Sequence, residues 1–186
     1  MRIISGVFKG KKIHEPKDLN TRPLKDLTKE SIFNILLHSN KFKILINKST
    51  ILDIFSGVGS FGIECLSRGA LRVIFIENYK QVLLILKKNL SNLKSIDNYS
   101  IIEKNAYEHE TLKYINNRFD IIFLDPPYKD KNFDIILKNI KNEKILKKNG
   151  IIILHRHKNS KDILPPNFKI IEEKKYGISK IIFLKL

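Results

Sequence analysis

A four-residue loop in the middle of the chain carries the residue types that can hold an amino group. The segment DIIFL at 120–124 is short, β-branched and aromatic, so it predicts a buried strand. It leads into Asp125, Pro126, Pro127 and Tyr128. Prolines fix φ and have no N–H, so the loop is stiff and its carbonyls can accept hydrogen bonds. Together with the carboxylate and the flat ring, this suits the exocyclic amine of a nucleobase. An ordinary strand-ending turn is an equal alternative from these residues alone.

A glycine-rich loop supplies the second candidate site. An apolar segment at 50–55 is followed by Gly57, Gly59 and Gly62 in a G-x-G-x-x-G pattern that opens a predicted helix. Glu77 follows the next predicted strand and is the acidic residue expected to bind ribose hydroxyls. The pattern predicts a nucleoside-containing cofactor, and a tight turn without a ligand is the plainer alternative.

Asp53, at the mouth of the glycine loop, discriminates between two cofactors. A nicotinamide dinucleotide would place a doubly negative pyrophosphate at the helix N-terminus. S-adenosylmethionine would place a cationic amine and a sulfonium there. A carboxylate repels the first and attracts the second, so we expect S-adenosylmethionine.

Two further places complete the predicted cofactor site. Phe55 lies within the segment that joins Asp53 to the glycines. Asn105 and Ala106 follow the third predicted strand, where such folds commonly contact the adenine. The Asn105 amide could make that contact, or Asn105 could be the N-cap of a helix at 107–117.

These residues require an alternation of strands and helices. The periodicity predicts strands at 50–55, 71–76, 99–103, 119–125 and 150–155, and helices at 25–37, 60–68, 79–95, 107–117 and 131–147. Residues 1–14 read as a β-hairpin arm and 15–23 as a loop. Strands at 168–172 and 178–184 should pair as an antiparallel hairpin. The order is βαβαβαβαβ followed by a hairpin, which predicts a doubly wound α/β sheet in a single domain over 1–186.

Composition limits the class of protein. The chain has 186 residues, of which 42% are hydrophobic and 29% charged, an ordinary globular balance. We expect a cytoplasmic protein without a membrane span or signal peptide. Cys65 lies in an apolar helical pattern and should be a buried thiol. The formal net charge is +16, which suits a nucleic acid, although an AT-rich genome would also enrich lysine.

Basic residues near the N-terminus are candidate RNA contacts. They are Lys9, Lys11, Lys12 and Arg22. An ordinary solvated basic surface is nearly as good an explanation for any one of them. The segment His155-Arg156-His157, at the end of the fifth predicted strand, is interpreted as structural or RNA-facing rather than metal-binding. Glu64 and Arg68, spaced i, i+4, should form an ion pair.

With both loops considered, the chain resembles the bacterial 16S ribosomal RNA guanine-N2 methyltransferase family. The resemblance covers nearly the whole chain and rests on these segments: MRIISGVFKGKKI at 1–13, TRPLKDLTKESIFNIL at 21–36, LDIFSGVGSFGIECLSRGA at 52–70, FIE at 75–77, FDIIFLDPPY at 119–128 and KKYGISKIIFL at 174–184. It implies a Rossmann-like, seven-stranded class I methyltransferase sheet that is mostly parallel with a C-terminal antiparallel hairpin. It also implies S-adenosylmethionine as cofactor, no metal, and 16S ribosomal RNA as partner, free or within a small subunit or assembly intermediate. We expect a monomer.

The resemblance implies roles for individual residues. The positions that match the family's cofactor-binding motifs are Asp53, Gly57, Gly59 and Glu77, and residues 125–128 match its amine-binding motif. The family usually has Asp where this chain has Asn105, and Thr where it has Leu24. The implied reaction is methylation of guanine N2, with the amine held by the Asp125 carboxylate and the Pro126 carbonyl and the base stacked on Tyr128. Three alternatives are an adenine-N6 methyltransferase acting on DNA or RNA, a non-catalytic ribosome-assembly factor, and a nicotinamide-dependent oxidoreductase.

Overall fold

A computed structural model of the protein describes residues 1–16, 24–94 and 96–186. Seven strands form one sheet: β1 (Thr50–Ile54), β2 (Arg72–Ile76), β3 (Tyr99–Ile102), β4 (Phe119–Leu124), β5 (Leu146–His157), β6 (Lys169–Tyr176) and β7 (Ser179–Lys185). Their order across the sheet is β3-β2-β1-β4-β5-β7-β6. The first five are parallel, and β7 and β6 form the antiparallel hairpin. The predicted fold class is confirmed.

Helices cover both faces of the sheet. They are α1 (Asp26–His38), α2 (Ser60–Ser67), α3 (Lys80–Ser91), α4 (His109–Lys113) and α5 (Phe133–Asn142), with a 3₁₀ turn at Ile46–Lys48. Alternate β4 residues enter two different cores: Ile121 and Phe123 pack with α1, α2 and α3, whereas Ile122 and Leu124 pack with α4 and α5. A strand buried on both faces explains why its sequence is continuously apolar rather than alternating.

Three predicted helices were too long, and the one expected at 79–95 ends at Ser91. The helix expected at 107–117 has only the five residues of α4, because Asn105 holds the preceding residues in a turn. The helix expected at 131–147 ends at Asn142. Lys144 then adopts a left-handed φ of 51°, a conformation that a helix cannot continue through, and β5 begins at Leu146. No helix in the described ranges has the length and apolarity that a bilayer crossing requires.

The N-terminal arm pairs with itself and lies along α2. One antiparallel bridge joins Arg2 and Lys12, and Gly10 N–H donates to the Ile3 carbonyl at 2.9 Å. The base of the arm reaches the start of α2, since Ser60 Oγ donates to the Met1 sulfur at 2.8 Å. Its tip reaches the end of the same helix, where Val7 N–H donates to the Ser67 carbonyl at 2.8 Å.

Buried Glu64 of α2 fastens this arm. Its carboxylate accepts the backbone N–H groups of Ile4 and Ser5 at 2.7 and 2.9 Å. It also accepts Arg68 Nε at 2.9 Å, which confirms the predicted ion pair. Lys29 of α1 is fully buried 3.6 Å away and donates to the Arg2 carbonyl at 2.7 Å. One carboxylate therefore joins the arm, α1 and α2, and it compensates a buried cation.

Glu64→Gln should lower the free energy of unfolding by about 3–5 kcal/mol, because it removes the fully buried counter-charge of the Lys29 ammonium and leaves only the partly exposed Asp26 carboxylate, 3.7 Å away. Chemical denaturation measures this, and hydrogen exchange at the amides of Ile4 and Ser5 should accelerate. The control is Glu103→Gln, which breaks the half-exposed pair with Lys87 and should cost less than about 1 kcal/mol. Equal losses in the two variants would contradict the buried-pair account.

Candidate active site

The carboxyl ends of β1 and β4 bring the two predicted loops together. The two strands are neighbours, with Asp53 opposite Phe123 and Ile54 opposite Leu124. The register continues into the loop, because Asp125 N–H donates to the Ile54 carbonyl at 3.2 Å. The strand order also reverses between β1 and β4, which is where open parallel sheets bind their ligands. The loop at 125–128 and the glycine loop therefore share one edge of the sheet.

The glycine loop takes a shape that side chains would disturb. Gly59 has a φ of 85° and begins α2 as its N-cap. Gly62 lies so close to β2 that an added Cβ would come within 2.3 Å of the Phe75 ring. Its N–H donates to Asp53 Oδ2 at 2.9 Å, so the strand and the helix are joined through this carboxylate. Gly57 N–H donates to Glu77 Oε2 at 2.8 Å, which ties the loop to β2 as well.

The Asp53 carboxylate is buried at the glycine loop, and one of its oxygens is unpaired in the described part of the chain. The residue is 1% exposed, and its Oδ1 has no hydrogen-bond partner within the described residues. Burial raises the pKa of Asp53 well above its usual range, and the Gly62 N–H lowers it in part. The neighbouring charges of Asp125 and Glu77 raise this pKa further. A buried acceptor among three carboxylates suits a cationic ammonium and disfavours a pyrophosphate.

Glu77 and Phe55 occupy the remaining positions around the glycine loop. Besides Gly57, Glu77 accepts the N–H groups of Asn78 and Tyr79, both at 2.9 Å. A carboxylate offers about four lone-pair sites, so one remains for a hydroxyl. Phe55 adopts a φ of 59°, which is unusual for a residue other than glycine and turns the chain sharply out of β1.

The turn after β3 corrects one expectation and adds a residue. Asn105 is not the N-cap of α4: its Oδ1 accepts Tyr107 N–H at 3.1 Å, and the N-cap position is held by Glu108. Ala106 is buried. The Tyr107 ring lies 5.5 Å from that of Phe55, and its hydroxyl is buried without a hydrogen-bond partner in the described part of the chain. Sequence reasoning missed Tyr107, although it directly follows the two residues selected at this turn.

His155 of β5 contacts the loop at 125–128 directly. Its Nδ1 lies 2.8 Å from Asp125 Oδ1, and its Nε2 lies 2.8 Å from Ser179 Oγ and 3.2 Å from the Tyr128 hydroxyl. The side chain is only 5% exposed, so an RNA-facing role is excluded. In the register of the sheet Leu124 pairs with Leu154, so the next residue of each strand, Asp125 and His155, can meet. The sequence alone does not give this register, so sequence reasoning missed the contact.

Arg156, the next residue, fixes the far half of the loop. It is 3% exposed and donates to the carbonyls of Pro127 at 3.1 Å and Asp130 at 2.6 Å. Its Nε donates to Asp162 at 2.9 Å, and its guanidinium lies 4.7 Å from the centre of the Phe133 ring. The loop is stiff because an arginine binds its carbonyls, in addition to the effect of its prolines.

The predicted RNA contacts lie on the N-terminal arm or outside the described residues. Lys9 and Lys12 are exposed on the arm. The Lys11 side chain contacts the protein itself: its Nζ donates to the Asn92 carbonyl at 3.3 Å and lies 4.8 Å from the centre of the Phe8 ring. Arg22 falls in the segment 17–23, which the structure does not describe. A cavity of about 770 Å³ beside Tyr128 has Lys129, Lys131 and Lys161 among its lining residues.

Comparison with known proteins assigns the family. A family model described as "Conserved hypothetical protein 95" matches residues 1–185. The chain is 34% identical over 179 residues to ribosomal RNA small subunit methyltransferase D of Haemophilus influenzae, covering 96% of this chain and 90% of that protein. It is 37% identical over 172 residues to the protein of the same name from Buchnera aphidicola, covering 92% and 86%. The chain belongs to the small-subunit ribosomal RNA methyltransferase D family.

The structure of a relative agrees with this assignment. A candidate methyltransferase of Escherichia coli superposes with a TM-score of 0.82 at 28% identity, covering 99% of this chain and 96% of that one. Members of the methyltransferase D family depend on S-adenosylmethionine, which is the cofactor of this chain. The unpaired Asp53 oxygen fits its ammonium group, and the glycine loop offers the close backbone approach that its nucleoside requires.

Asp53→Asn should weaken S-adenosylmethionine binding about 10- to 100-fold, because the amide still accepts Gly62 N–H but no longer attracts an ammonium. The dissociation constant is measured by titration calorimetry. For the wild type, affinity should rise as pH rises through the raised pKa of Asp53, since only the ionised carboxylate attracts a cation. The variant should lose that dependence.

The matched control is Asp120→Asn, at the opposite end of the same sheet, where the carboxylate also accepts a backbone N–H, that of Thr50 at 2.8 Å. It should leave cofactor affinity unchanged. Equal weakening in both variants would refute the role of Asp53.

Proposed function

We propose that this protein methylates the exocyclic N2 amine of a guanine in 16S ribosomal RNA. The observation that carries the proposal is the sharing of one sheet edge by two sites. One holds a buried acceptor for a cationic methyl donor at Asp53, and the other holds the stiff loop at 125–128. Both lie at the carboxyl ends of adjacent strands, so a nucleobase amine and the donor can occupy neighbouring positions.

The residues of the loop do most of their work by positioning. Guanine N2 is a poor nucleophile because its lone pair is delocalised into the ring. Hydrogen bonds from N2–H to the Asp125 carboxylate and the Pro126 carbonyl favour a pyramidal nitrogen and orient its lone pair. S-adenosylmethionine supplies the methyl: the new N–C bond forms as the C–S bond breaks, and that bond's electron pair stays on sulfur. Asp125 then accepts the extra proton from N2.

In this proposal the Tyr128 ring stacks on the base. Its ring lies at the loop's far end, 5.6 Å from the His155 ring and 5.4 Å from the His157 ring in edge-on arrangements. A stacked base must be unpaired or turned out of a helix to reach it. The relatives from Haemophilus influenzae and Buchnera aphidicola are both named ribosomal RNA small subunit methyltransferase D, which supports RNA as substrate, and the net charge of +16 suits a polyanion.

Asp125→Ala should reduce methyl transfer to small-subunit RNA by at least about 100-fold, because the amine loses its charged acceptor. S-adenosylmethionine affinity should change little, since the Asp53 and Glu77 contacts remain. Product nucleosides are identified by mass spectrometry after incubation with small ribosomal subunits or 16S RNA. The control is Asp134→Ala, which removes an α5 carboxylate paired with Lys138. Methylated adenine instead of N2-methylguanine would overturn the base assignment, and unchanged turnover in Asp125→Ala would overturn the mechanism.

RNA affinity should depend on two groups of exposed lysines. Lys9→Gln with Lys12→Gln tests the arm, and Lys129→Gln with Lys131→Gln tests the rim beside Tyr128. Each pair that contacts phosphates should reduce the slope of log affinity against log salt by about 1 to 2. Lys144→Gln with Lys148→Gln, at the amino end of β5, should leave the slope unchanged. If the arm variant behaves like this control, the predicted RNA role of Lys9 and Lys12 is wrong.

A further inference from the structure

His155 has a defined protonation pattern because of the groups around it. An ionised Asp125 only accepts hydrogen bonds, so the 2.8 Å contact between its Oδ1 and His155 Nδ1 requires the proton to be on Nδ1. In the neutral ring, Nε2 then accepts a hydroxyl hydrogen from Ser179 or Tyr128. Both ring nitrogens thus have partners, and the ring orientation is fixed by three separate elements: the β4 loop, β5 and β7.

The two carboxylate oxygens of Asp125 differ in their contacts. Oδ1 is occupied by His155, whereas Oδ2 has no hydrogen-bond partner among the described residues. The Asp125 side chain is 18% exposed, so it remains accessible from the ligand edge. A carboxylate held at one oxygen by a buried ring cannot rotate freely, and it keeps the other oxygen in one direction.

We propose that His155 is a positioning residue that holds Asp125 by Oδ1 and thereby presents Oδ2 to the amine of the substrate base. The inference rests on the proposed function, in which Asp125 receives that amine. His155 itself touches neither base nor cofactor in this account. It acts through Asp125 and, through Nε2, on the hydroxyl of Tyr128, so one buried ring orients both the acceptor and the stacking side chain.

The charge of His155 also affects how well Asp125 accepts a proton. Burial lowers the pKa of His155, but the charge and hydrogen bond of Asp125 outweigh this effect and raise it, with Arg156 opposing. The other groups facing the ring are Tyr128, His157 and Ser179. An imidazolium neutralises part of the Asp125 charge, whereas the neutral ring leaves that carboxylate more basic. Turnover should therefore increase as pH rises through the pKa of His155.

Two substitutions at this position separate orientation from packing. His155→Asn places an amide N–H near the position of Nδ1, so it keeps a donor to Asp125 but cannot titrate. His155→Leu removes the donor. We expect kcat to fall about 10- to 100-fold in His155→Leu, the size seen when a partner that orients a functional side chain is lost. In His155→Asn we expect substantial recovery of kcat, with the rise of turnover with pH abolished.

The control is His109→Leu, the same change at an exposed histidine of α4 that pairs with Glu143 at the end of α5. S-adenosylmethionine affinity and thermal unfolding of each variant show whether the fold is retained. If folded His155→Leu turns over within twofold of His109→Leu, the proposal fails. It also fails if His155→Asn loses as much activity as His155→Leu, because the donor to Asp125 would then be irrelevant.

A measurement without turnover distinguishes this proposal from the proposed function. Nitrogen-15 NMR of the imidazoles should show His155 protonated at Nδ1 in its neutral form, and its pKa should fall in Asp125→Asn, where the neighbouring charge is gone. An unchanged titration in that variant would overturn the coupling of His155 to Asp125. If wild-type protein methylated no guanine while this coupling was observed, the assigned substrate would be wrong and the His155–Asp125 contact would stand.

Discussion

Like charges at one edge of the sheet are the constraint on which this active site depends. Asp53 lies in β1, and Glu77 and Asp125 directly follow its two neighbours β2 and β4; neighbouring strands lie about 5 Å apart. The charges of Asp125 and Glu77 both raise the pKa of Asp53, and like charges placed this close need compensation. Glu77 accepts three backbone N–H groups and Asp125 is paired with His155. Asp53 has one N–H and an unpaired oxygen, so the compensation still missing there is what a cationic ligand supplies.

The same constraint explains why rigid elements surround the site. Carboxylates free to move would separate, and the field that attracts a cation would be lost. Here Gly62 joins Asp53 to α2, and the loop beside it is held from β5 through carbonyls bound by Arg156. The arrangement is therefore formed before a ligand arrives, so binding does not have to provide the free energy of ordering the loops. Preorganised acceptors are also what positioning catalysis requires.

Much of this architecture could be predicted from the sequence, because it depends on patterns within short segments of the chain. Continuous apolar segments such as 120–124 identify buried parallel strands, and the chain order makes the loops that follow them share an edge. The acidic residue at the mouth of the glycine loop favoured a cation for simple electrostatic reasons. Helix ends were less predictable. After α5, Lys144 adopts a left-handed conformation, which a lysine in the sequence gives no reason to expect. A helix cap was one of two roles considered for Asn105, and the structure excludes it, because the side chain accepts a hydrogen bond in an earlier turn.

The role of β5 was hidden because it depends on register between strands far apart in sequence. His155 and Arg156 are successive residues whose side chains point to opposite faces of a strand, yet both act on one loop. This is possible because the loop leaves β4 at Asp125 and crosses the end of β5, so its first residue meets one side chain and its later carbonyls meet the other. The prolines give that loop carbonyls without competing donors, and Arg156 binds one of them. The loop at 125–128 is therefore stiff partly because β5 binds it, and the four residues of the loop do not by themselves indicate that contribution.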